Sequence, residues 1–426
     1  MRTRVCSFCA SARWLYVGIA VMSLAALACQ EAPVRVEPPG TEKPPEPFIE
    51  YRTWRTPQPI DGVPEVFGRV GPYPLSLSTS AVNELHLLMN IPADSMLPHN
   101  RYRLGYLHYD GAHWQRKAEV DGYGLFAPLT GIATAPGQVH FFWAGITADQ
   151  QQEWIDNRRL FATDLFHCVW NGAACSEPVS LSSTVHEWIS FSEPVQDTQG
   201  QIHLITDTGP EVFHLILDAQ GQLLSKNRIG LQSQPSLLVQ GDTLHFVYMS
   251  GPLPGTGGAN DLYYEAYHEG AWTEPVVIFH DVDEDANHPR LVIDEDGRFH
   301  LVFYVTDAGG PSMRYMHSED RGRTWTEPEL LHRFAYLPFR APKLGLDGHG
   351  VLHVTWSHRG SLLSDSTSLG IDNYYAARLD EQWSEAQRLF PELESKSEAH
   401  LVVDANNVVH VVFRTLDKNI YHARFE

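Results

Sequence analysis

Seven histidines stand at the same place in seven short β-type runs, and imidazoles recurring at a fixed position raise metal chemistry first. The runs are NELHLLM (His86), GQVHFFW (His140), GQIHLIT (His203), DTLHFVY (His245), GRFHLVF (His300), GVLHVTW (His353) and NVVHVVF (His410). Each histidine belongs to a different copy, and none has a neighbouring His, Asp or Glu at the spacing of a metal site. The expectation is therefore a scaffold of half-buried imidazoles, bonded to the backbone of their own or the next copy. A second candidate is the acidic run around Asp281, Asp283 and Asp285, whose alternating oxygens suit Ca²⁺. It lacks the glycine and the distal glutamate of an EF-hand, and a solvated acidic loop is the simpler expectation. No cofactor is expected. Gly-x-Ser-x-Gly, Walker-type and His-Glu-x-x-His motifs are absent, which removes hydrolase triads, nucleotide chemistry and zinc catalysis from consideration.

The elements that carry these histidines repeat at intervals of about 42 to about 63 residues, the period of one small sheet repeated around a ring. The fifth copy is the clearest. Pro289 opens a strand, Gly297 lies in a tight turn, and His300 is on a second strand. Met313 begins a third strand, and Trp325-Thr-Glu-Pro328 a fourth. Four short strands joined by Gly/Asp turns form one propeller blade. The fold expected is all-β, a β-propeller of four-stranded blades, seven by this count. The alternative is six, because the copy around His203 has no Trp on its outer strand. The last copy stops after its third strand, whereas Tyr51 to Pro57 carries the Trp-x-x-Pro of an outer strand. Residues near 51–60 should therefore complete the final blade and close the ring.

The ends and the charge bound the setting. Arg2, Arg4 and Arg13 precede an apolar stretch of about 15 residues, as in a signal peptide. The boundaries expected are a signal peptide over 1–28, a lipidated Cys29 with a Pro/Glu-rich linker over 29–47, and one propeller domain over 48–426. Ala25-Ala-Leu-Ala-Cys29 resembles a bacterial lipobox, although the same Ala-x-Ala fits ordinary signal peptidase. Gln30 at the next position points, by analogy, to the outer membrane of a Gram-negative envelope. Only Cys168 and Cys175 then remain, flanking a short turn in a compartment that permits disulfides, and a hairpin staple is expected. Loss of residues 1–28 takes the formal charge from −21 to −24. So acidic a chain is a poor partner for nucleic acid, and membrane contact is expected through the anchor only.

Ser318-Glu-Asp320-Arg-Gly322-Arg-Thr324-Trp325 matches an Asp box, S-x-D-x-G-x-T-W, and with it the chain resembles the sialidase and BNR-repeat propellers. In such a turn the Asp accepts backbone N–H bonds, the Gly takes a positive φ and the Trp packs between sheets. The motif marks fold and lies away from a sialidase's catalytic mouth. The resemblance also draws attention to Phe339-Arg340-Ala341-Pro342, similar to the Phe/Tyr-Arg-Ile-Pro of sialidases, whose arginine binds the substrate carboxylate. Here the motif opens the sixth copy and not the first. Asn287-His288-Pro289 and Ser192-Glu193-Pro194 occupy equivalent places, so x-x-Pro also fits a plain strand start. The ligand candidates on the loop face are Arg340, His288, Arg359, Glu398, Trp154 and Tyr374, with Asp372 and Arg290 close by. Trp143 is a further stacking candidate, or part of the apolar seam.

Together these readings give an envelope-anchored, sialidase-like propeller without chemistry of its own. It binds a glycan or a protein partner through its loop face. The rival is an exo-acting sialidase in which Arg340 grips the carboxylate. Hydrolysis of a fluorogenic sialoside by a soluble form beginning near Glu31, beside Arg340→Ala, separates them. No turnover from folded protein is the expected outcome, and turnover lost in the variant overturns it.

Overall fold

Alternation of apolar and polar residues, punctuated by Gly and Asp turns, sets the fifth copy as an antiparallel sheet of Asp285–Ile293, Phe299–Asp307, Gly310–Ser318 and Glu329–Arg333. The structure is a computed structural model. It describes residues 52–61, 75–81, 84–92, 102–120, 128–145, 163–184, 189–207, 211–230, 233–251, 260–334, 341–362, 369–394, 397–415 and 419–426. Residues Pro47–Glu426 form one compact unit. All regular secondary structure among the described residues is strand.

Six further sheets repeat the pattern. The first blade is Leu75–Ala81, Glu84–Pro92, Tyr102–Tyr109 and Trp114–Val120; the second is Leu129–Ala135, Gln138–Gly145, Thr163–Trp170 and Val179–Thr184. The third blade, the doubtful one, is complete. Its inner strand is split by Pro194 into Ser190–Phe191 and Val195–Gln196, followed by Ile202–Asp207, Val212–Leu217 and Leu223–Gly230. The fourth starts with Ser233–Gln240, Thr243–Ser250 and Asp261–His268. The sixth starts with Lys343–Leu346, Leu352–Leu362 and Leu369–Leu379. The protein is thus a seven-bladed β-propeller, and the six-blade alternative falls. Inner strands of neighbouring blades meet around an axis, and His400–Val403 of the seventh meets Leu75–Ala81 of the first. The apolar clusters lie between adjacent blades, with Phe141, Phe246, Phe303 and Trp356 among their fully buried members.

The ring closes as the sequence indicates. Gln58 and Pro59 pair with His422 and Tyr421 on the seventh blade, and Trp54 bridges Phe425. Trp54 sits edge-on to Tyr375 at 5.1 Å, and Arg52 Nη1 donates to Asp347 Oδ2 at 2.9 Å. This segment is anchored on the sixth blade as well as on its own.

The histidines are scaffold, but their partners differ from those expected. Each Nδ1 lies 2.7–3.0 Å from a side chain on the third strand of its own blade, not from backbone. The partner is a tyrosine hydroxyl for His86, His245, His300 and His353, and a second histidine for His140, His203 and His410. In four blades an aspartate six residues earlier takes Nε2–H: Asp197, Asp294, Asp347 and Asp404, at 3.1–3.4 Å. The other oxygen of each accepts N–H groups of the turn between the first two strands, as Asp347 Oδ1 does from His349 and Val351. The carboxylate fixes the Nε2–H tautomer, leaving Nδ1 to accept from the tyrosine hydroxyl at His300 and His353 and from the second histidine at His203 and His410. In the seventh blade the relay is longer, since His422 Nδ1 accepts Trp114 Nε1–H from the first blade at 3.2 Å.

Burial holds these rings neutral. It lowers His86, His140 and His245 from 6.5 to about 4, and His167, His214 and His422 to about 3. The unfolded chain takes up protons as pH falls below 6.5, whereas the folded ring does not until about 4. The stability that neutral rings contribute is therefore full above 6.5 and lost as pH drops toward 4. The thermal midpoint is expected to fall across that window, and a flat profile from pH 7 to 4.5 would count against this account. Tyr375→Phe, which strips the proton from His353 Nδ1, is expected to cost about 1–3 kcal/mol in denaturant unfolding.

Candidate functional site

In four blades a proline precedes or interrupts the inner strand near the end of the channel where the chain enters the blade. Pro289, expected to open its strand, lies inside Asp285–Ile293 at a shift of register, and Pro235 lies likewise inside Ser233–Gln240. Pro194, Pro235, Pro289 and Pro342 hold this place in the third to sixth blades, and Ala399 in the seventh. The channel encloses about 320 Å³. Its deeper wall is apolar, from residues such as Leu238, Val292, Leu344 and Val402, whereas its mouth carries Glu193, Arg290, Lys343 and His400.

One ion pair crosses this mouth. Lys343 Nζ, on the sixth blade, donates to Glu193 Oε1, on the third, at 2.6 Å. Lys343 is 20% exposed and Glu193 61%, although both lie within the ring, so the pair stands in solvent-filled space. The Lys343 ammonium, with Arg290 also facing it, holds Glu193 at about 2 against the opposing effect of burial. Burial lowers the Arg290 guanidinium below its ordinary range, an effect the charge of Glu193 opposes. Arg290 Nη1 donates to Pro289 O at 2.7 Å, while its Nε has no partner among the described residues. Beside it Tyr304, 1% exposed, has its phenol pushed up by burial and its hydroxyl without a hydrogen-bond partner among the described residues.

On the seventh blade, His400 Nε2 lies 3.5 Å from Glu398 Oε1, and burial keeps the ring neutral. Asn373 positions this segment: its Nδ2 donates to Ser397 O at 3.1 Å and its Oδ1 accepts Ala399 N–H at 3.0 Å. Between the fourth and fifth blades two non-glycine residues occupy left-handed backbone at equivalent places, Gln234 (φ 53°) and His288 (φ 54°). They are joined, since His288 N–H donates to Gln234 Oε1 at 2.5 Å. The His288 ring lies 5.9 Å from that of Tyr304.

Of the residues singled out from sequence, Arg290 lines this mouth, while Glu398 stands next to it against His400 and His288 against Gln234 and Tyr304. Tyr374 does not: it stacks between Trp356 and His358 and faces His332 of the fifth blade, while Asp372 binds Arg388 at 2.5 Å. Arg359 is placed by its backbone alone, opposite Ile371. Arg340, Trp154 and Cys29 lie outside the described residues. Trp143 is 1% exposed and stacked on Phe166, so it belongs to the apolar interior. Glu193 and Lys343 went unnominated, although superimposing the copies on their prolines places a polar residue beside each.

Three other expectations meet their test outside the channel. Cys168 and Cys175 are free thiols, and their hydrogen bond, with burial, raises Cys168 far above its usual range. The hairpin needs no covalent staple, because Asn171 Oδ1 accepts both Ala173 and Ala174 N–H at 3.0 Å. No group of three or more His, Cys, Asp or Glu among the described residues could hold a metal ion. Asp281 Oδ1 accepts Asp283 N–H and Asp285 Oδ1 accepts Asn260 N–H, so both carboxylates cap backbone. In the turn Ser318–Trp325, Asp320 Oδ1 accepts Thr324 N–H at 2.8 Å, and Trp325 Nε1 donates to Gly322 O at 3.1 Å. Gly322 has φ 82°, and a Cβ there would stand 2.8 Å from Tyr264, so this position needs glycine twice over.

Seven four-stranded blades around a channel define the protein as a β-propeller. Residues 260–426 match the family model described as BNR repeat-like domain. The match spans the last part of the ring, and over that part the chain is similar to the BNR-repeat propellers. Among curated proteins nothing matches. Among solved structures it is similar to the α-L-arabinofuranosidase Arb93A of Fusarium graminearum, in complex with an iminosugar inhibitor (10% identity, TM-score 0.50, 88% of this chain and 98% of that one). It is similar to the polysaccharide lyase Uly1 (9%, 0.51, 86% and 93%). A puromycin-hydrolyzing peptidase of Mycobacterium tuberculosis also aligns (15%, 0.50), where this chain covers 52% of the other. At these identities the likeness is one of fold.

Proposed function

We propose that the protein is a glycan-binding propeller whose ligand enters the channel mouth at Glu193, Arg290 and Lys343. The observation that carries this reading is the ion pair of Glu193 and Lys343 across a solvent-filled mouth, above an apolar wall. Donors and acceptors converging at the end of a pocket are what hydroxyl-rich ligands require. The strained pair Gln234 and His288 next to that mouth fits a binding role. Two of the similar structures are described as an arabinofuranosidase and a polysaccharide lyase, which agrees with a carbohydrate ligand.

Binding without turnover is favoured over exo-glycosidase chemistry by the placement of Tyr374 and Asp372. They lie on the face of their strand toward the fifth blade and the outer edge, whereas Asn373 between them reaches Ser397. Presentation at the envelope through a lipid on Cys29 is part of the same proposal and rests on the lipobox-like Ala25–Cys29.

In a glycan array followed by calorimetry, the full chain is expected to bind a saccharide, with Lys343→Met about tenfold weaker or more. Binding unchanged in that variant places the ligand elsewhere. Metabolic labelling with a palmitate analogue in a Gram-negative host is expected to mark the chain and not Cys29→Ala; equal labelling of both sinks the anchor.

A further inference from the structure

We infer that the Glu193 carboxylate is a built-in stand-in for a carboxylate on the ligand, so that the saccharide taken at the channel mouth is an acidic one. This rests on the glycan-binding reading and names the class of sugar.

Two cations from neighbouring blades, Arg290 and Lys343, face one carboxylate that reaches them from the far side of the lumen. The three partners are held unequally. Lys343 is 20% exposed and Arg290 is set against Pro289 O, so the cations are fixed in the wall. Glu193 is 61% exposed and sits at the break that Pro194 makes in its strand, beside a Ser192 whose backbone and hydroxyl are both bonded to Ile205. The backbone stays anchored while the side chain swings out to water.

The departure of Glu193 leaves two positive charges at the mouth of an apolar channel without a counter-charge. Uncompensated cations in such a place are unfavourable, and an incoming carboxylate restores the balance. Arg290 lines the channel with its Nη1 held by Pro289 O, which fixes the guanidinium in the wall beside Lys343. The chain as a whole carries −21, so attraction for an acid arises only from this local pair. An exposed ion pair is weak, so exchange of Glu193 for a ligand acid opposes binding only modestly.

The decisive experiment is calorimetry on the full chain with tri-galacturonate and sialyllactose, beside galactotriose and lactose as neutral counterparts. The acidic sugars are expected to bind at least about tenfold tighter than their neutral counterparts, and whichever of the two is preferred identifies the source of the carboxylate. Glu193→Ala is expected to bind the acid roughly two- to fivefold tighter, and Lys343→Met to lose it. Thermal midpoints establish that the variants fold, and Glu193→Gln carries the test if the alanine variant does not. Neutral sugars bound as well as acidic ones, or weaker acid binding in Glu193→Gln, overturn the stand-in while the glycan-binding reading survives. No binding of any saccharide, on the array or here, overturns both.

Discussion

Inside every blade one imidazole must stay neutral and must be hydrogen-bonded on the side facing the third strand. That requirement organises the ring. A second-strand histidine accepts from a tyrosine in four blades and from another histidine in three, always within 3.0 Å. In four of them the same ring donates to the aspartate that closes the turn behind it. One residue thus ties the turn, the second strand and the third strand together, and sets how far the inner strand stands from its neighbour. A charged imidazole cannot do this in so dry a place, because desolvation disfavours it and Nδ1 loses its lone pair. The inner strands hold the channel, so the shape of the mouth depends on these buried contacts.

The fold was legible because its determinants are local and repeated. Residues six apart, such as Asp347 and His353 or Asp404 and His410, form the turn unit, and the tryptophans of the outer strands mark its end. Even the closing strand could be read, since Trp54-Arg-Thr-Pro57 has the pattern of an outer strand with no inner partner of its own. The third blade looked weak because Leu223–Gly230 lacks a tryptophan, but its His203 and Asp197 keep the unit intact.

The mouth was legible only in fragments. Glu193 and Lys343 are 150 positions apart, and nothing near either one reveals that the ring brings them within 2.6 Å. Glu193-Pro194 and Pro342-Lys343 look like strand starts, and they are that too. Tyr374 was drawn toward the site by its place near a loop, but strand alternation turns it into the seam with His332, while Asn373 one position earlier faces the seventh blade. Cys168 and Cys175 flank a turn in a way that suits a staple, but the side chain of Asn171 closes their hairpin and the thiols stay free.

Closure by residues 52–60 has a consequence for the order of events in making the protein. The partners of Gln58 and Pro59 are His422 and Tyr421, and Thr53 N–H is held by Glu426 O, at the last residue of the chain. A growing chain can build its blades one after another, yet its first strand waits unpaired until the last has been made. Until then Trp54 lacks Phe425, and only its contact with Tyr375 and that of Arg52 with Asp347, both on the sixth blade, are open to the segment. The ring is therefore a fold whose closure waits for its seventh blade, and loss of the strand Ile420–Phe425 would leave Gln58 and Pro59 without their pairing partners.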